Sequence, residues 1–122
     1  MILVIGGAGQ GKLAYAMKNW KISPAEVATD FKNAENARIF CDFQQAVQKT
    51  VAAGEDPAEK LEILLTRNPG LIVLCDEVGC GVVPMDREER VWRETVGRLC
   101  CRMAGQAERV DRVFCGLAMR LK

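Results

Sequence analysis

The sequence predicts an α/β protein: a mostly parallel sheet flanked by helices, with a C-terminal antiparallel hairpin at its edge. Three observations carry that expectation. Residues 1–5 and 71–75 are unbroken apolar runs, Met-Ile-Leu-Val-Ile and Leu-Ile-Val-Leu-Cys, as expected of strands buried on both faces. The segments between and after them carry helical start signals and apolar residues spaced by three or four. Residues 110–115 and 117–121 read as two closing strands parted by Gly116, a gap that permits a tight hairpin.

The size and composition narrow the possibilities. With 122 residues and 49% hydrophobic content, residues 1–122 are expected to form one domain with a modest core. Seventeen basic against sixteen acidic side chains leave a net charge of +1, so no global field draws the chain to nucleic acid or an anionic membrane. The five apolar residues before Gly6 are too few for a membrane span or a signal peptide, and a cytoplasmic location is expected. Six cysteines in that setting read as reduced thiols, with Cys41, Cys75 and Cys115 as small core residues on strands. Cys100-Cys101 is an adjacent pair, and no histidine exists to complete a mixed zinc site with it. The lack of histidine also removes the commonest general base and any covalent histidine intermediate.

Along the chain, the first strand delivers into Gly6-Gly-Ala-Gly-Gln-Gly-Lys12, which matches Gly-x4-Gly-Lys and then breaks the pattern at Leu13. Such a loop exposes successive backbone N–H groups, and these, the next helix N-terminus and the Lys12 ammonium converge on phosphate oxygens. The expected fold is therefore P-loop NTPase-like. Its nucleotide-binding stretch is Gly6, Gly7, Ala8, Gly9, Gln10, Gly11, Lys12 and Leu13, and its ligand is ATP or GTP. Leucine at 13 cannot replace the hydroxyl that normally ligates Mg2+.

The loop opens a helix over about residues 11–20. Ser23-Pro-Ala-Glu26 supplies a cap, a proline at the first helical position and a capping-box glutamate, so a second short helix is expected from there to about residue 32. After a polar break, residues 37–41 read as a strand ending at Asp42. That acid is either a Walker B carboxylate holding Mg2+ or its water, or the cap of the next helix. The helix over residues 43–53 carries Phe43, Val47 and Val51 at a four-residue spacing and stops at Gly54. Asp56-Pro-Ala-Glu59 opens another helix, with Leu61, Leu64 and Leu65 on one face.

The strand at 71–75 runs into Asp76-Glu77, placing two carboxylates where open α/β sheets bind ligands. From pattern alone this strand end is at least as good a Walker B candidate as Asp42. Residues 79–84 read as a flexible loop that stiffens at Pro84. Asp86 and Glu89 then start a long helix to about residue 105, with Trp92, Val96, Leu99 and Met103 as its buried stripe and most of its arginines on a solvated face. In the terminal hairpin the last strand lies at the sheet edge, where Arg120 and Lys122 discourage further pairing.

Four stretches taken together resemble the bifunctional adenosylcobinamide kinase/adenosylcobinamide-phosphate guanylyltransferase family. They are Ile2-Leu-Val-Ile-Gly-Gly-Ala-Gly-Gln-Gly-Lys12, Glu77-Val-Gly-Cys-Gly-Val-Val-Pro84, Arg90-Val-Trp-Arg-Glu-Thr-Val-Gly-Arg98 and the terminal hairpin. The resemblance implies a P-loop fold, a homo-oligomer and a role in building the nucleotide loop of cobalamin. It implies phosphorylation of the aminopropanol hydroxyl of a corrinoid by ATP or GTP with Mg2+, then transfer of GMP to that phosphate. On this reading Lys12, Asp42 and Glu77 are the catalytic set, Asp42 and Asp76 the candidate metal ligands, and Glu77 and Gly79 line the site.

The sequence also departs from the family. The family's GMP-accepting histidine falls between the first helix and the strand at 37–41, where this chain is short and has no histidine. Leu13 replaces the loop hydroxyl, Asp42 replaces glutamate, and Cys100-Cys101 stands where Asn-Gln is usual. The expectation is a nucleotide-binding protein with at most the kinase activity. The alternatives are a non-catalytic regulator or partner of a full-length homologue, and a structural relic without a ligand.

Overall fold

A computed structural model describes residues 1–78 and 85–122. Six strands form one sheet in the order β2-β3-β4-β1-β5-β6. They are β1 (Ile2–Gly6), β2 (Val27–Ala28), β3 (Ile39–Phe40), β4 (Ile72–Asp76), β5 (Arg109–Phe114) and β6 (Leu117–Arg120). All neighbours pair in parallel except β5 and β6, which pair antiparallel at the edge, as the sequence predicts. The chain leaves β1 toward one side of the sheet and later returns to β5 on the other. The carboxyl end of β1 is therefore the switch point at which such sheets bind ligands.

The continuous apolar runs of β1 and β4 are explained by burial on both faces. Leu3, Val73 and Cys75 pack in one cluster with Phe43, Val47, Leu61, Leu64, Val96, Leu99 and Met103, from α3 (Phe43–Ala52), α4 (Pro57–Arg67) and α5 (Arg87–Gln106). Val4, Ile72 and Leu74 point the other way, into a cluster with Ala16 of α1 (Lys12–Trp20). Both expected caps form: Asp56 accepts from the Ala58 N–H and Asp86 from the Glu88 N–H, each at 3.0 Å. The stripe of α5 is buried at Val96, Leu99 and Met103, while Trp92 is half-buried and donates its indole N–H to the Gln44 carbonyl at 2.7 Å.

Three expectations are corrected. The helix read over residues 23–32 is instead a 3-10 turn (Pro24–Glu26), strand β2 and a four-residue α2 (Phe31–Ala34). The Ser23 start does form, its N–H donating to Glu26 at 2.9 Å. Pairing with β3, whose register sets Val27 beside Ile39, then extends the chain, and Asp30 restarts a helix by accepting from the Asn33 N–H. On α3, Val51 turns out to solvent, and Gln44 and Thr50 are buried in its place. Cys115 is exposed in the hairpin turn rather than packed in the core; of the three expected core thiols only Cys75 is fully buried. The loop expected at 79–84, including Gly79, lies outside the described residues.

The α1–β5 seam holds a polar network that sequence reasoning missed. Asp111, fully buried, accepts from the Tyr15 hydroxyl at 2.7 Å and from Arg109 Nε at 3.1 Å. Arg109 lies over the Trp20 ring, 5.4 Å from its centroid. Burial and the Asp111 carboxylate push the Tyr15 phenol above its usual range, which keeps it a donor. Asp111→Ala leaves both donors unmatched and is expected to cost about 1–3 kcal/mol, read as a lowered Tm in a thermal melt.

Candidate phosphate-binding site

The site is built where β1 ends. Gly6 sits opposite Asp76 in the β1–β4 register, so the glycine loop and an acidic strand end meet side by side. A Cβ on Gly6 would collide with the Val113 carbonyl oxygen of β5, so only glycine lets β1 pass between its neighbours here. The chain then turns through Gly9 and Gly11, both at positive φ (70° and 92°), and enters α1 directly at Lys12. Among the described residues no side chain caps α1, which leaves its first-turn N–H groups available to an anion.

Lys12 is buried and folds back over the loop. Its ammonium donates to the Gly7 carbonyl at 2.9 Å and pairs with Asp76 Oδ1 at 2.6 Å. The cation is thus held at the loop by a carboxylate that an incoming phosphate must displace or share. Leu13 turns away from this point and packs on the Val4–Ala16 cluster, so a hydrocarbon stands at the position of the usual hydroxyl.

The two candidate metal acids occupy different places. Asp76 ends β4, the direct neighbour of β1, and touches Lys12. Asp42 follows β3, one strand further out, at φ 56°, and its carboxylate makes no cap bond to α3. The capping alternative for Asp42 therefore does not describe this structure. The Cys41 thiol lies near both acids. The Cys41 thiol is pushed up to about 11 by burial and then by Asp42, and it also feels Lys12 and Asp76. Asp42 follows β3 and Asp76 ends the neighbouring β4, and among the described residues no group of three or more acidic or thiol side chains is placed to hold a metal ion; Mg2+ is commonly held by one or two carboxylates together with substrate phosphates.

Glu77 continues past β4, its N–H donating to the Gly6 carbonyl at 3.0 Å. Its carboxylate is clamped by Arg112 through two bonds of 2.7 and 3.1 Å. The sequence reading missed the roles of Arg112 and Gln44 and the contact between the predicted hairpin turn and the loop. Buried Gln44 accepts from the Asp76 N–H at 3.0 Å and so fixes the acid's backbone. Its signal was a polar residue three before Val47 on the buried side of α3. The turn Cys115-Gly116, with φ 51° and 75°, is a two-residue type I′ connection. It grips the loop tip: Gln10 Oε1 accepts from the Cys115 N–H at 2.7 Å and the Gln10 carbonyl from the Gly116 N–H at 2.8 Å. Gln10 thereby spends its side chain on the hairpin.

A glycine loop and lysine at the switch point of a parallel sheet, faced by a strand-end acid, define a P-loop-like α/β protein. Residues 43–121 match the model of the cobinamide kinase/cobinamide phosphate guanyltransferase family, and the chain belongs to that family of nucleotide-using transferases in cobalamin biosynthesis. The match runs from α3 to the terminal hairpin, so the phosphate loop is an independent observation that agrees with it. A comparison with curated proteins finds no match. Among the described residues, no helix is long and apolar enough to cross a membrane.

Proposed function

We propose that the chain is a single-domain cytoplasmic kinase that binds ATP or GTP on residues 6–13 and transfers the γ-phosphoryl group to a corrinoid alcohol. The observation that carries this reading is the Lys12 ammonium held over the glycine loop by Asp76. In the reaction the alcohol oxygen bonds to the γ-phosphorus, the bond to the β,γ-bridging oxygen breaks, and the alcohol proton passes to solvent. Lys12 and the open N–H groups of α1 orient the phosphates and take up developing negative charge. Asp76, released from Lys12, and Asp42 are the acids that would hold Mg2+, which when bound spreads the charge of the phosphates. Glu77 and Arg112 brace the strand end beside the loop.

The guanylyl step is absent on this reading, because the chain has no histidine to carry GMP. A second reading, a nucleotide-binding partner without turnover, draws on Leu13, whose packing against the Val4–Ala16 cluster removes a metal-ligating oxygen. Homo-oligomerisation is supported by the hairpin. Phe114, Leu117, Met119 and Leu121 are 54–75% exposed, and the β5–β6 register sets Phe114 opposite Leu117 on one face. An apolar patch of that kind is a surface to be covered.

Calorimetric titration of GTP and ATP, with Mg2+ and with EDTA, tests the binding half. Saturable binding is expected; no binding at millimolar nucleotide overturns both readings. Leu13→Ser is expected to raise the Mg2+ dependence of turnover, a gain on the order of 10-fold for one restored charge-assisted contact. It should also lower Tm slightly through lost packing. Unchanged turnover and metal dependence would mean that the hydroxyl was not the missing part.

A further inference from the structure

Cys75 and Cys100 have no part in the site above, yet they meet across the sheet–helix interface with sulfurs 3.5 Å apart. Among the described residues no other two cysteine sulfurs are in contact. Cys75 is fully buried on β4, directly before Asp76, and Cys100 on α5 is partly exposed. A disulfide has sulfurs about 2.05 Å apart, so closure needs an approach of roughly 1.5 Å, within the reach of side-chain rotation and a small helix adjustment.

We propose that Cys75 and Cys100 form a reversible redox site, oxidised by a hydroperoxide at Cys100 and resolved by Cys75 into a disulfide tying the end of β4 to α5. The thiolate of Cys100 attacks one peroxide oxygen and the O–O bond breaks, giving a sulfenic acid and, after protonation, one molecule of water or alcohol. The Cys75 thiol then attacks the Cys100 sulfur, a new S–S bond forms, and the hydroxyl leaves with the Cys75 proton as water. Two thiols and one hydroperoxide thus become one disulfide, one water and one alcohol, or two waters for hydrogen peroxide. The order follows from burial: Cys100 is the partly exposed member of the pair, whereas Cys75 is fully buried and is positioned to resolve. A transient disulfide of this type suits a reducing compartment, where lasting structural bridges are rare.

The test treats the reduced full chain with hydrogen peroxide, blocks free thiols and maps peptides by mass spectrometry without reduction. The expected result is a Cys75–Cys100 cross-linked peptide that dithiothreitol reverses and that Cys101→Ser leaves unchanged. In Cys75→Ala, which keeps a small apolar side chain in the core, Cys100 should accumulate as a sulfenic acid trapped by dimedone. In Cys100→Ser, Cys75 should stay reduced. A bridge from Cys100 to Cys80, Cys101 or Cys115, or oxidation of exposed cysteines with Cys75 and Cys100 still thiols, would overturn the proposal. These readouts do not depend on nucleotide binding.

Discussion

Lys12→Ala is expected to lower affinity for ATP or GTP by roughly 10- to 150-fold while leaving the fold intact. A charge-assisted contact to a phosphate is worth about 1.5–3 kcal/mol, and each 1.4 kcal/mol is about tenfold in affinity. Lys12 is the buried cation held at the loop, fixed to the Gly7 carbonyl and Asp76. Removing it frees Asp76, which is partly exposed and regains water, so the stability change should be small beside the loss of binding. Calorimetric titration and a thermal melt on the same variant separate the two effects. Affinity equal to that of the unaltered chain would remove the loop from the nucleotide site.

Gly6→Ala is the change expected to damage the fold most. The added Cβ meets the Val113 carbonyl oxygen, a backbone atom that no rotamer change can move. Strands β1 and β5 must part at the point where the phosphate loop begins. Overpacking of this kind costs about 3 kcal/mol or more, a fall in Tm of roughly 10 °C or beyond. Gly97→Ala in α5 provides the opposite sign. Its Cβ meets nothing within 4 Å, and replacing an exposed helical glycine should stabilise by about 0.5–1 kcal/mol. Thermal melts of the two variants should move in opposite directions; a shared direction would contradict the steric account of Gly6.

The parts legible in the sequence were those whose signal is local. The runs of β1 and β4 are continuous because both faces are buried, and the caps at Asp56 and Asp86 form with the bonds their residue types suggest. The glycine loop was legible because Gly9 and Gly11 adopt backbone angles that few other residues tolerate. Strand β2 was hidden: it has two residues, too few for any periodicity, and it exists through pairing with β3. The choice between Asp42 and Asp76 was equally closed to pattern, since both end apolar strands. Strand order gives them different places, with β4 beside β1 and β3 one place further out. Gln44, Arg112 and the hairpin turn's hold on Gln10 were missed because each joins residues 32 to 106 positions apart in the chain.

On the proposed function, the loop around Lys12 transfers phosphate to a corrinoid alcohol and the guanylyl half of the family's chemistry is gone. The most direct measurement incubates the protein with GTP, Mg2+ and adenosylcobinamide and identifies the corrinoid products by mass. The expected product is adenosylcobinamide carrying one added phosphoryl group, lost in Lys12→Ala, with no GMP-bearing corrinoid and no GMP attached to the protein. Nucleotide binding without any phosphorylated corrinoid would contradict the kinase assignment, and a GMP-bearing product would contradict the loss of the second step.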